Sequence, residues 1–296
     1  MHSVIRIGSR ESALAVRQAE IIRDLILEHE PETEIEIITM KTTGDKILDK
    51  SLEKIGGKGL FVKELDRALM EGRIDLAVHS LKDMPIEENE ELPILAYGKR
   101  EDPRDALIYR KGLTELPERA VIGTSSRRRA LQMERLFPGC AFRGIRGNVQ
   151  TRMRKLDEEG YDATLLAAAG LKRLGMEHAA GRYLSVDEMI PAAGQGILAV
   201  QGRRDMDWGW VHEVDDPASR AAALAERQFI RVLGGGCTSP SAAHAAVSGN
   251  ELKIIGLCWS EESGQYSRGV LCGDVSRAEQ AGEELAKRLR REAEQG

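Results

Sequence analysis

Short apolar runs alternate with amphipathic helical stretches through most of this 296-residue chain, and that alternation limits the folds open to it. SVIRIGS reads as a strand, and ALAVRQAEIIRDLILEHE as a helix with Ala15, Ala19, Ile22 and Ile26 on one face. IEIITMKT is a second strand. LFVKELDRALMEG is a helix entered through the glycine-rich GGKG, and IDLAVHS is a third strand. Parallel strands need crossover connections, so a β-α-β-α-β order implies a largely parallel sheet with helices on both faces.

A second such series follows the loop GKREDPRDA. AVIGTSS, CAFRGI and DATLLAAAG read as strands, with RRALQMERLF and VQTRMRKLDEEG as the helices between them. After the loop PAAGQ, the apolar run GILAVQGR suggests a return to the first series. The expectation is an α/β protein of two lobes around a hinged cleft, as in bilobal binding proteins, with crossings near Lys99–Asp105 and Ala199–Arg203. From about Pro217 the pattern changes. A helix ending in glycines precedes AAHAAVS, ELKIIGLCWS and QYSRGVLCG, the first two joined by the hairpin signal Ser248-Gly249-Asn250, and a polar helix closes the chain. That reads as a small α+β domain. The expected boundaries are 1–98 with 197–214, then 104–192, then 217–296.

Composition narrows the function. A formal charge of −5 and a pI near 5.8 argue against a surface given over to nucleic acid. MHSVIRIGSRESALAV lacks the layout of a secretory leader, and no apolar run is long enough to span a bilayer, so a cytoplasmic protein is expected. Cys140, Cys237, Cys258 and Cys272 form no CxxC pair, and the histidines form no HExxH, so neither a metal site nor a disulfide framework is expected.

Against that acidic total stands a basic island. Between Arg127 and Lys155 nine Lys/Arg meet one acid, Glu134, a local charge of +8. Arginine dominates it, which favours bidentate recognition of carboxylate or phosphate. Other polar groups fall where strands give way to helices: Arg10 and Ser12, Lys54 and Lys58, and Thr124-Ser125-Ser126. Ligands of open parallel sheets bind at such ends, beside unpaired helix N–H groups. Taken singly the serines read first as N-caps; together with the arginines they make an anion cradle.

His79-Ser80-Leu81-Lys82-Asp83-Met84-Pro85 places Lys82 and Asp83 on a rigid turn at a strand's end. Asp83 reads either as a turn residue or as a lone carboxylate on a cationic wall, suited to stabilising a developing cation. Gly234-Gly235-Gly236-Cys237-Thr238-Ser239-Pro240 presents a thiol on thin backbone. It reads as an inert buried cysteine or as a point of attachment.

Together the stretches Arg10-Glu11-Ser12-Ala13-Leu14-Ala15, GGKGLFVKEL, DLAVHSLKDMP, EDPRDA, GTSSRRR, RGNVQTR, LAAAGLKRLG, PAAGQG and GGGC resemble the porphobilinogen deaminase (hydroxymethylbilane synthase) family, in order and spacing from about residue 4 to Pro240. The resemblance implies two periplasmic-binding-protein-like α/β domains and a third carrying the cofactor cysteine. It implies a dipyrromethane bound by thioether to Cys237, and the head-to-tail joining of four porphobilinogens into hydroxymethylbilane with loss of ammonia.

By the same resemblance Ser80, Lys82, Thr124, Ser126, Arg128, Arg129 and Arg152 contact the cofactor. Arg10, Ser12, Gln18, Arg146, Arg173 and Gln195 lie on the substrate side, Lys54 and Lys58 border a loop over the cleft, and Asp83 is the catalytic carboxylate. Nothing in the sequence suggests a large exposed apolar face, so a monomer is expected, without metal, nucleic acid or membrane, and its product would pass to uroporphyrinogen-III synthase. A chain of six rings presents roughly a dozen carboxylates, which would account for the arginines. The chain departs from the family pattern at Gly234, at Thr238-Ser239 and over Ser241–His244. A non-catalytic two-lobe protein binding an anionic small molecule is the alternative; it leaves Asp83 and Cys237 without a task.

Overall fold

The computed structural model describes residues 4–46, 62–206, 208–235 and 239–295. Contacts divide the chain into two compact units, Met1–Glu101 with Ile197–Ala221, and Asp102–Gly196 with Ala222–Gly296.

The first unit holds β1 (Ile5–Arg10), β2 (Ile35–Met40), β3 (Leu76–Ser80) and β4 (Ile94–Tyr97), together with β10 (Leu198–Gly202). Their order is β2-β1-β3-β10-β4. The first three are parallel, and β10 runs against both β3 and β4. The Ala13–His29 helix is capped by Ser12, whose side chain accepts from the Ala15 N–H. It buries Ala15, Ala19, Ile22 and Ile26 as the periodicity requires, and it also buries Gln18. Ile22 and Ile26 pack with Ile5, Ile7 and Val78, and Trp210 closes that core. On the sheet's other face the Lys63–Met70 helix sets Leu65, Ala68 and Leu69 against Ile74 and Ala77.

The second unit holds β5 (Asp105–Tyr109), β6 (Val121–Gly123), β7 (Ala141–Arg143), β8 (Ala163–Ala167) and β9 (Arg182–Leu184), in the order β7-β6-β8-β5-β9. Here β6, β7 and β8 are parallel and β5 is antiparallel to both β8 and β9. In each sheet the opposing strand is the first that the chain forms on arriving from the other unit. Both sheets are therefore mixed, with four of five strands running one way, which keeps the largely parallel character that the sequence pointed to. The end of GKREDPRDA, read as loop, opens β5. The proposed return crossing at Ala199–Arg203 falls mostly within β10, which is buried and bonded on both edges, so a pivot there would break the sheet.

The same unit carries an antiparallel sheet of β11 (Ala242–Ser248), β12 (Glu251–Trp259) and β13 (Tyr266–Asp274), with Ser248 paired to Glu251 across the expected hairpin. The Ala278–Gln295 helix lies on it and meets the Pro217–Val232 helix in backbone contact. A Cβ added at Gly282 would stand 2.1 Å from the Ala225 carbonyl oxygen. This gives the small α+β element that the sequence pattern foretold.

Candidate active site

In the first unit Arg10, Gln18, Ser80 and Asp83 line one recess with Ala15, Val62, Val78 and His79. Each arrives from an element's end or from a buried stripe. Arg10 closes β1, Ser80 closes β3, and Asp83 ends the 3₁₀ turn Leu81–Asp83 that Pro85 keeps from continuing. Gln18, only 3% exposed, donates from its amide nitrogen to the Ser80 hydroxyl at 2.8 Å. Asp83 is exposed at the end of its turn, and Lys82 beside it is half-buried. Ser12 is an N-cap, as its single-residue reading allowed. Burial of His79, reinforced by the charge of Arg10, pushes its imidazole down to about 4, so it is uncharged at neutral pH.

In the second unit the arginines converge on a residue that was not singled out from the sequence. Asp105 is fully buried; Arg128 meets it at 2.8 Å and Arg129 at 2.7 Å, both nearly out of water. Arg128 also donates to the Ile190 carbonyl and Arg129 to that of Leu165. Two guanidiniums share one carboxylate. Gln195, 1% exposed, donates to the Pro103 carbonyl at 2.7 Å and to Asp105 at 3.2 Å. Ser126 caps the Arg127–Leu136 helix, and Thr124 accepts from the Ser126 N–H. Arg152 donates to the Gly147 carbonyl and Arg173 to that of Gly196, each at its own loop. Arg146 is half-buried on the loop before the Val149–Glu158 helix.

Much of the basic island is thus engaged by the fold. Arg127 pairs with Glu261 at 2.8 Å, Arg135 lies 4.1 Å over the Tyr266 ring and Arg143 4.0 Å over that of Tyr161. Arg154 and Lys155 face Glu158 and Glu159 one helical turn on. The count of cations overstated the field available to a ligand, because the neutralising acids lie outside the window.

Glu226 was also missed. From the interior of the Pro217–Val232 helix it accepts from the N–H of Gly194 and from that of Ala245, both at 2.6 Å, tying the PAAGQG loop to β11. A fully buried acid on a helix's apolar face was the available signal. For Asp105 it was an acid opening a strand within a cationic region. Cys237, Lys54 and Lys58 lie outside the described residues. Among the other thiols, burial raises Cys258 to about 11, leaving it a poor nucleophile.

Comparison with known proteins shows the family. Residues 5–208 match the family model "Porphobilinogen deaminase, dipyromethane cofactor binding domain", and residues 221–291 match "Porphobilinogen deaminase, C-terminal domain". The chain belongs to the porphobilinogen deaminase family. The porphobilinogen deaminase of Acetivibrio thermocellus is 51% identical over 285 residues, 96% of this chain and 97% of its own. That of Ruminiclostridium josui is 52% identical over 287 residues, 97% of each chain. Alkaliphilus oremlandii has one 46% identical over 98% of each. Membership favours the deaminase over the non-catalytic binding protein. Among the described residues no helix is long and apolar enough to cross a membrane.

Proposed function

We propose that Asp83 carries the chemistry of this porphobilinogen deaminase. The enzyme is a transferase of tetrapyrrole biosynthesis that joins four porphobilinogens into hydroxymethylbilane, releasing ammonia each time, on a covalently bound dipyrromethane primer. The observation that carries the reading is the Asp83 carboxylate in a recess whose other polar groups include Arg10, Ser80 and Gln18. Loss of ammonia leaves positive charge on the porphobilinogen ring. A carboxylate about 4 Å from that charge contributes on the order of 4 kcal/mol at an effective dielectric near 20. At 1.36 kcal/mol per factor of ten this is roughly a thousandfold in rate. Arg10, Ser12, Gln18, Arg146, Arg173 and Gln195 serve the substrate side, and Lys54 and Lys58 border the site.

The donors suit a polycarboxylate primer. The hydroxyls of Ser80, Thr124 and Ser126, the Lys82 ammonium and the Arg152 guanidinium all donate. Arg128 and Arg129 add two guanidiniums, which share Asp105. Cys237 is the thioether attachment point, and the primer supplies the pyrrole carbon onto which each new unit is joined. The reading extends to three domains, 1–98 with 197–214, 104–192 and 217–296, and to a cytoplasmic monomer whose product passes to uroporphyrinogen-III synthase.

Intact-mass measurement with a peptide map tests the attachment. The purified protein should exceed its chain mass by about 420 Da, two porphobilinogens each less ammonia, carried on the Cys237 peptide. A protein that stays unmodified after incubation with porphobilinogen would overturn it.

A further inference from the structure

His79 lines the same recess as Asp83, and nothing in the reaction as described uses it. Its neighbours in β3 show which way it points. Val78 packs into the core under the Ala13–His29 helix, while Ala77 packs with Leu65 and Leu69 on the opposite face. By strand alternation His79 shares the face of Ala77. There its Nε2 lies 3.0 Å from the Gln201 side-chain oxygen.

Gln201 is itself held. Its amide nitrogen donates to the Leu92 carbonyl at 3.0 Å, and the Asp66 carboxylate takes a hydrogen bond from the same side chain. With acceptors on its nitrogen, the amide turns its oxygen to the imidazole. An amide oxygen accepts and cannot donate, so the network assigns the ring proton to Nε2. Nδ1 is then a lone pair, and it has no protein partner among the described residues. Among the described residues the titratable groups around the ring are Arg10 from β1, Asp83 from the turn after β3, and Asp66 from the Lys63–Met70 helix through Gln201. The ring's depressed basicity keeps that lone pair unprotonated at neutral pH.

We propose that His79 is a further catalytic residue of the deaminase, an uncharged acceptor whose Nδ1 takes an N–H of the substrate's aminomethyl group while Asp83 faces the pyrrole nitrogen. The proposal rests on the Asp83 recess being where the ring reacts. In the step concerned the carbon–nitrogen bond of an ammonium breaks, its electron pair leaves with nitrogen, neutral ammonia departs, and the positive charge stays on the pyrrole. No proton moves to His79. A second carboxylate here would hold the ammonium most tightly before the bond breaks and would raise the barrier. An imidazolium would repel it. A neutral acceptor orients the leaving group while losing least as its charge disappears.

Four variants test this, all assayed as holoenzyme after intact mass confirms the primer. His79→Phe should load the primer and lose about 10- to 100-fold in kcat/KM, the value of one hydrogen bond to a charged group. Gln201→Glu places a carboxylate beside the ring, makes the imidazolium accessible, and should introduce an acid limb into kcat/KM that the parent lacks. The double variant His79→Phe with Gln201→Glu should lose that limb, which a merely structural histidine would not govern. Asp83→Asn is the control for the site. A His79→Phe enzyme within about twofold of the parent, beside an inactive Asp83→Asn, overturns the role of His79 alone. If His79→Phe does not fold, a Gln201→Glu enzyme without a new limb overturns it. Parent-like turnover in Asp83→Asn would instead remove the site reading itself.

Discussion

Arg129 meets Asp105 at 2.7 Å with 8% of the arginine side chain and none of the aspartate exposed. Water does not screen this pair, and Arg128 completes it from one residue away at 2.8 Å. Breaking a buried pair from one side leaves charge without compensation, which costs about 3–5 kcal/mol. Asp105→Ala should therefore lower unfolding free energy by about that much, measured by urea titration. A loss below about 1 kcal/mol would show that the two guanidiniums do not depend on it.

Asp83 has the opposite character. It is exposed at the end of its turn, where an asparagine of the same shape fits, so Asp83→Asn should leave the melting temperature and the bound primer unchanged. Turnover should fall by roughly a thousandfold. Steady-state ammonia release and intact mass on the same preparation separate the two effects, and normal turnover would refute the role given to Asp83.

His79 makes stability depend on pH. Burial pushes its folded value down to about 4 from the ordinary 6.5 of an imidazole. Between those values the unfolded chain binds a proton that the native protein does not, so this group's contribution is complete above about pH 6.5 and is lost as pH falls toward about 4. By pH ~5 the loss should reach about 2 kcal/mol. Urea titrations of the parent and His79→Phe at both ends of that window isolate the term, because other buried groups such as Asp66 are common to both. Equal pH slopes would show that the ring titrates normally.

Gly282 tests the contact between the two helices of the antiparallel sheet's layer. Alanine would ordinarily gain about 1 kcal/mol in a helix over glycine. Here its Cβ would lie 2.1 Å from backbone that cannot turn aside, so Gly282→Ala should be destabilising by about 1–3 kcal/mol instead. Gly273→Ala, whose nearest neighbour is 4.0 Å away, is the control. A raised melting temperature in Gly282→Ala would mean that the helices can part without cost.

Amphipathic spacing and turn chemistry lie within a few neighbouring residues, which is why the Ala13–His29 helix, its Ser12 cap, β1, β3 and the Ser248–Glu251 hairpin were legible from the chain alone. So was the family, because its motifs are contiguous runs such as DLAVHSLKDMP and GTSSRRR. Arg10, Ser80 and Asp83 share a recess as the rule that strand ends carry sites would have it, whereas Gln18, implied only by the resemblance, joins them from inside the Ala13–His29 helix. Tertiary structure alone decided the partners. His79 finds Gln201 across 122 positions, Arg128 finds Asp105 across 23, and Arg127 finds Glu261 across 134. It also made both sheets mixed, since a strand's direction depends on where the chain re-enters, and no residue in β5 or β10 encodes that locally. A window of sequence counts charges and apolar faces. Which charge neutralises which is set by burial, where an unpaired ion is costly, and burial is a property of the whole fold.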